Sequence, residues 1–433
     1  MRKAWPLLLT LAACSNEGGD LDENPFLSDL SDSGKEDSAY MNPDGIEVEL
    51  DLEGDVEGPA YKLKEGPVEI GQYALTFFRK QDKMYIESLA EDGSAAGRAE
   101  WLVNGTWYAA NEVPSGSTLK HWRLRGLNTV LLFDHANGVD VGTQFTAKVP
   151  VNPFTVYADA RESCADDNDH ISLGQDVYWY RWDPGTSCSI PTQDLKVTVS
   201  KKFSSATASI YPEYDQLTAD NKVTFVVLFG QVGDGAITDS DWGMVSAKRY
   251  GSWLEQAGFM SATAPLGTRY EKTLSNGVLA QIDVYSPREF SGLGDYAHVA
   301  NFQKALSEHE VVAYSGHSML GASDFWARMQ YPSTYQIFLY GGCLGYEYYV
   351  KPILHGKGDS WAKLDIVSSV VEVSASAPVA GPAIAKIIYG VEHGGHSSWR
   401  DILVTVRNSV GDSTFGVSGV RDNCYTPSGT RCN

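Results

Sequence analysis

The stretch that decides the fold runs from Val311 to Gly345. It opens Val311-Val312-Ala313-Tyr314-Ser315-Gly316-His317-Ser318 and closes Tyr335-Gln336-Ile337-Phe338-Leu339-Tyr340-Gly341-Gly342-Cys343-Leu344-Gly345. Each half begins as a short apolar run and ends in small and polar residues. Strands buried on both faces carry that pattern. Asp324–Gln330 between them reads as a short helix, giving a strand–helix–strand unit with a right-handed crossover. Upstream, Val223–Phe229 reads as another buried strand. Asp241 can cap a helix over Trp242–Ala257, with Val245, Tyr250, Trp253 and Leu254 on or near one face and Gly258 ending it. Val278–Tyr285 is a further strand, and Asp295 can cap a helix whose Val299, Phe302 and Leu306 form a stripe. Downstream, Leu364–Val373 and a helix near Trp399–Arg407 continue the rhythm. Residues 204–433 therefore read as a three-layer α/β domain with a mostly parallel sheet.

Residues 59–203 have a different rhythm. Short apolar or aromatic runs recur at Tyr73–Phe78, Thr129–Phe133, Val177–Tyr180 and Leu195–Val199, punctuated by Gly, Asn, Asp and Pro. That pattern predicts one or two β-sandwich modules. Asn104-Gly105 predicts a type I′ hairpin between Trp101–Val103 and Thr106–Tyr108. The aromatics here read as core, and no catalytic constellation stands out.

The chain has 433 residues and a net charge of −21. Fifteen acidic residues and one basic residue, Lys35, lie between Glu17 and Glu57 and account for −14 of that charge. So acidic and apolar-poor a segment predicts an extended, disordered tether over residues 15–58. Alternation of Ile46, Val48, Leu50 and Leu52 leaves open an edge strand at its end. The remaining charge is ordinary for a folded protein, and nucleic acid is not an expected partner. Before the tether, Met1-Arg2-Lys3 is a basic start, Ala4–Leu11 is apolar, and Leu11-Ala12-Ala13-Cys14 reads as a lipobox. The expectation for residues 1–14 is a lipoprotein signal with Cys14 as the lipidated residue. Ser15 in the following position favours the outer membrane or cell surface of a Gram-negative bacterium, with the lipid as membrane anchor. In that oxidising compartment Cys164 with Cys188, and Cys424 with Cys432, are expected to form local disulfides. Cys343 is left over.

His317 and Cys343 end successive strands. Adjacent strands would put them ~5 Å apart at one sheet edge, or ~10 Å with one strand between. The crevice beyond such strand ends is where open α/β sheets bind ligands. A thiolate attacks, and an imidazole can activate the thiol or protonate a leaving amine. Backbone N–H groups near Ser318 and Gly342 are candidate oxyanion donors. These residues resemble the caspase–gingipain type of cysteine peptidase, clan CD. In that family a strand leads to a His–Gly, and the next leads to a small residue and the nucleophilic Cys. The resemblance covers roughly residues 220–350. It implies a caspase-like fold, Cys343 as nucleophile, His317 as its imidazole partner, and a peptide or protein substrate without cofactor or metal. Ser318 stands where the family has Gly.

Two alternatives compete. One is a non-enzymatic surface lipoprotein using an inactive relative of the fold for binding. The other is a serine hydrolase, since Gly316-His317-Ser318-Met319-Leu320-Gly321 resembles a nucleophile elbow, with Asp365 and His393 or His396 following in order. Leu320 stands where that motif needs Gly. Asp234–Asp241 resembles part of a calcium loop but reads better as a turn and helix cap. Asp166–His170 reads as a solvated loop. His393-Gly394-Gly395-His396 lacks the helical context of a zinc site.

Overall fold

The computed structural model describes residues 40–81, 84–86, 95–156, 163–164, 181–185, 188–203, 209–318, 325–326, 328–371, 373–374, 379–411 and 414–432. The signal, Cys14, most of the tether, the Val177–Tyr180 run and Asp166–His170 lie outside these residues. The molecule mixes helices with two large open sheets.

The first sheet has seven strands, all antiparallel. Its members are β1 (Gly45–Asp55), β2 (Met84–Ile86), β3 (Ala99–Val103), β4 (Thr106–Ala109), β5 (His121–Leu132), β6 (Gln144–Pro150) and β7 (Thr192–Lys202). The order is β4-β3-β5-β1-β7-β6, with β2 also on β5. The expected hairpin is present: Asn104 and Gly105 both have positive φ, 49° and 82°.

Two expectations are corrected here. Residues 40–55 are not tether, because β1 pairs with β5 on one side and β7 on the other. The alternation explains it. Val48, Leu50 and Leu52 pack into the core, each worth ~1.5–3 kcal/mol when fully buried. Of the intervening acids, Glu49 pairs with Lys201 and Glu53 with Lys196 across the strands, and Asp51 accepts from Gly126 N–H. Within this segment, part of the charge counted as repulsion is thus offset by neighbours. Second, Tyr73–Phe78 is not a strand but part of helix α1 (Gly66–Gln81). Ile70, Tyr73, Ala74 and Phe78 recur at helical spacing and meet the sheet. So one sheet backed by a helix replaces the expected sandwich.

The second sheet has eight strands in the order β15-β14-β13-β12-β8-β11-β10-β9. These are β8 (Lys222–Phe229), β9 (Met260–Ala262), β10 (Thr268–Thr273), β11 (Leu279–Tyr285), β12 (Val311–Ser315), β13 (Gln336–Tyr340), β14 (Leu364–Ser369) and β15 (Phe415–Ser418). The middle five, β14-β13-β12-β8-β11, are parallel. Both edges are antiparallel. Among the described residues parallel pairing is therefore confined to this core, and antiparallel pairing predominates.

Side chains of the middle strands alternate between two apolar clusters. Val223, Phe225 and Val227 of β8 face one cluster, with α2 (Trp242–Gln256), α6 (Ala380–Glu392) and α7 (Trp399–Val410). Val226 and Leu228 face the other, with α3 (Val299–Glu308) and α5 (Val350–Gly356). The short, buried α4 (Gly345–Tyr348) follows β13 and leads into α5. Asp241 caps α2 by accepting from Gly243 N–H at 2.9 Å, and Ser398 and Asp401 form a capping box on α7.

The segment before β1 joins the two sheets. Met41 bridges Val417 at the β15 edge. Arg407 pairs with Asp44 at 2.7 Å and Arg421 with Glu47 at 2.9 Å. Tyr40 packs edge-on against Tyr346 at 4.7 Å. Disulfides join Cys164 to Cys188 and Cys424 to Cys432.

Candidate functional site

Strands β12 and β13 are direct neighbours, with Tyr314 opposite Tyr340. His317 and Cys343 each lie three residues beyond that pair. Gly341 N–H donates to Tyr314 O at 2.8 Å, so the pairing persists one step past the strands. His317 and Cys343 thus leave the sheet at one edge.

Their side chains then turn outward. The ring Nε2 of His317 lies 3.0 Å from Val232 O. A carbonyl only accepts, so Nε2 carries a proton, which leaves Nδ1 as the second site for proton exchange. Val232 follows β8, on the outer side of β12. Cys343 is only 2 % exposed. Val373 N–H donates to its Sγ at 3.4 Å, and Sγ lies 3.7 Å from Val373 O. Val373 follows β14, on the outer side of β13. No hydrogen bond joins Sγ to the His317 ring among the described residues. The resting arrangement brings the two residues to one edge with each bonded to its own outer loop.

Beneath them lies a buried tyrosine pair. Tyr314 and Tyr340 have ring centroids 5.8 Å apart, and Tyr349 stacks on Tyr340 at 4.8 Å. Burial pushes both phenols well above their ordinary range, and charge at Cys343 adds to the effect. Of the two, Tyr314 donates to the His317 carbonyl at 2.8 Å.

Ser318 is 1 % exposed, and its Oγ lies 2.7 Å from the Tyr340 hydroxyl. A Cβ on Gly342 would stand 2.3 Å from that Oγ. Residues 318 and 342 therefore touch, and Gly342 is required by the space. Neither the Ser318 nor the Gly342 backbone N–H is spent on a hydrogen bond among the described residues.

The elbow arrangement does not assemble. Asp365 pairs with Ile337 near the start of β13, about 10 Å below the strand end at ~3.3 Å per residue. His393 stacks on Tyr389 at the far end of α6 and donates to Tyr389 O. His396 is exposed. The Asp234–Asp241 segment behaves as a turn and cap. Asp241 Oδ2 accepts from Gly233 N–H at 2.8 Å.

Two contributors escaped the sequence reading, Val232 and Tyr314. A backbone carbonyl has no residue signature. Tyr314 sat inside an apolar run and read as core.

Comparison with family models, curated proteins and solved structures gives no match.

Proposed function

We propose that this chain is an exported, lipid-anchored cysteine peptidase of the caspase-like type. Nδ1 of His317 would take the Cys343 proton as Sγ attacks the peptide carbonyl, and would pass it to the leaving amine as the C–N bond breaks; water would then hydrolyse the thioester and free the thiol. The Ser318 and Gly342 N–H groups would face the developing oxyanion. One observation carries the reading: neighbouring parallel strands deliver His317 and Cys343 to one edge, with the His317 ring already oriented by Val232 O. A second-layer acceptor that fixes tautomer and ring plane is what proton-transfer histidines need. The parallel five-strand core with helices on both faces agrees with a caspase-like domain. The lipid anchor on Cys14, and placement at the outer membrane or cell surface, rest on the first fifteen residues.

The test uses the full chain and a mixture of denatured proteins, read by mass spectrometry. Wild type should generate new peptide termini, and Cys343→Ala none. His317→Ala should nearly abolish them. Equal termini from wild type and Cys343→Ala would refute the proposal.

The burial of Cys343 favours a second reading, a surface lipoprotein that binds rather than cleaves. Its mark is a native Cys343 that iodoacetamide never reaches at any pH where the fold holds.

A further inference from the structure

We infer that Tyr314 is a positioning residue for His317, holding its main chain while Val232 holds its ring. The inference rests on the peptidase reading.

The hydroxyl of Tyr314 is the meeting point of three loops. It donates to His317 O at 2.8 Å and lies 3.4 Å from Leu293 N–H, which donates to it. A Cβ added at Gly316, Gly230 or Gly292 would stand 2.6, 3.0 or 3.2 Å from the same oxygen. Those glycines follow β12, β8 and β11. Gly292 has φ +148°, which by itself favours glycine. Gly230 and Gly316 are not among the positive-φ residues. No positive φ asks for glycine there. The space beside the phenol does.

The loops are also tied to one another. Gly230 N–H donates to Ser315 O at 2.8 Å, and Gln231 N–H donates to Ser291 O at 2.7 Å. The loop that carries Gly230 also carries Val232. One phenol therefore sets the spacing between the His317 main chain and the carbonyl that its ring reaches.

A purely structural tyrosine would need a partner for its buried hydroxyl, but any acceptor would serve. Here the acceptor is the main chain of His317. Loss of the bond should let the 316–318 turn shift by a few tenths of an ångström, enough to loosen the ring from Val232 O. A loosened ring is a poorer proton partner for the thiol.

The experiment uses the full chain with 15N-labelled histidine. Wild type, Tyr314→Phe, Gly316→Ala, His317→Ala and the double variant Tyr314→Phe/His317→Ala are compared. Two quantities are read: the pH profile of Cys343 alkylation by iodoacetamide, and the His317 Nε2–H resonance. Tyr314→Phe should stay folded, lose or broaden that resonance, and slow alkylation near neutral pH by about three- to tenfold, the worth of one hydrogen bond. Gly316→Ala, which keeps the phenol but presses on it, should move both readouts the same way. The double variant should be no slower than His317→Ala. A changed His317→Ala profile beside an unchanged Tyr314→Phe profile, with the resonance kept, overturns the role of Tyr314 alone. Additive effects in the double variant overturn it too. A His317→Ala profile identical to wild type overturns the dyad and, with it, the role given to Tyr314.

Discussion

Replacing Asp365 by Asn should flatten the pH dependence of stability between about pH 4 and pH 7. Asp365 is fully buried near the start of β14. Tyr335 Oη at 2.5 Å, Asn423 Nδ2 at 2.7 Å and Trp399 Nε1 at 3.0 Å all donate to its Oδ2. Among the described residues its Oδ1 has no hydrogen-bond partner. Burial pushes the carboxyl from its usual 3.8 up to about 7, the three donors pull against that, and the charge of Glu213 adds to it. The folded state therefore holds a proton that the unfolded chain releases near pH 4. The resulting stability is fully present below pH 4, falls as pH rises, and is gone above pH 7. A shift of about three units at ~1.4 kcal/mol each sets the loss at roughly 4 kcal/mol. Asn keeps an acceptor for the three donors and has no charge to bury. Urea unfolding at one-unit steps from pH 4 to pH 8, followed by tryptophan fluorescence, measures the difference. Wild type should lose stability across the window, and Asp365→Asn should lose much less and match or exceed wild type at pH 8. Glu213, also raised by burial, leaves a residual slope that Glu213→Gln should remove. Parallel curves for wild type and Asp365→Asn would refute the reasoning.

Three further outcomes are expected. Gly342→Ala should destabilise by ~1–3 kcal/mol in urea unfolding, because its Cβ would press on Ser318 Oγ. Ser318→Ala in the same chain should recover part of that loss, and on its own should leave peptide cleavage largely intact. Replacing Cys164 and Cys188 together by Ser should cost roughly 3 kcal/mol for a bridge spanning 24 residues, seen as a lower unfolding midpoint. Cys14→Ala should move the protein from the membrane to the soluble fraction and abolish labelling by a fatty-acid analogue, and unlabelled wild type would end the lipoprotein proposal.

The α/β region was legible because its strands are buried on both faces. Phe225–Phe229 and Ile337–Tyr340 are unbroken apolar runs, and Asp241, Asp295 and Gly258 punctuate the helices between them. The first sheet was harder for two physical reasons. Residues 73–78, apolar except for Thr76, satisfy either period, and only the wider spacing from Ile70 to Phe78 separates helix from strand. In β1 the acids that suggested disorder sit opposite lysines from β7, about 150 residues away. Composition taken locally cannot register a charge balanced at that distance.

The site divides in the same way. That His317 and Cys343 reach one edge follows from two apolar runs separated by a single crossover, and β12 and β13 are neighbours as that reading needs. What the ring of His317 touches does not follow, because its partner is a main-chain oxygen set by the loop after β8. The serine of the apparent elbow shows the converse. Ser318 sits in a suggestive string of letters, yet its hydroxyl is sealed against Tyr340 and Gly342, and Asp365 belongs to a buried cluster at the opposite ends of the strands. Spacing along the chain brought these residues into consideration together. The register of β13 against β14 separates them, because a residue at the start of a strand cannot serve chemistry at its end. Any side chains offered for one site in a parallel sheet must therefore leave their strands at the same edge, and His317 and Cys343 satisfy that condition where Ser318 and Asp365 fail it.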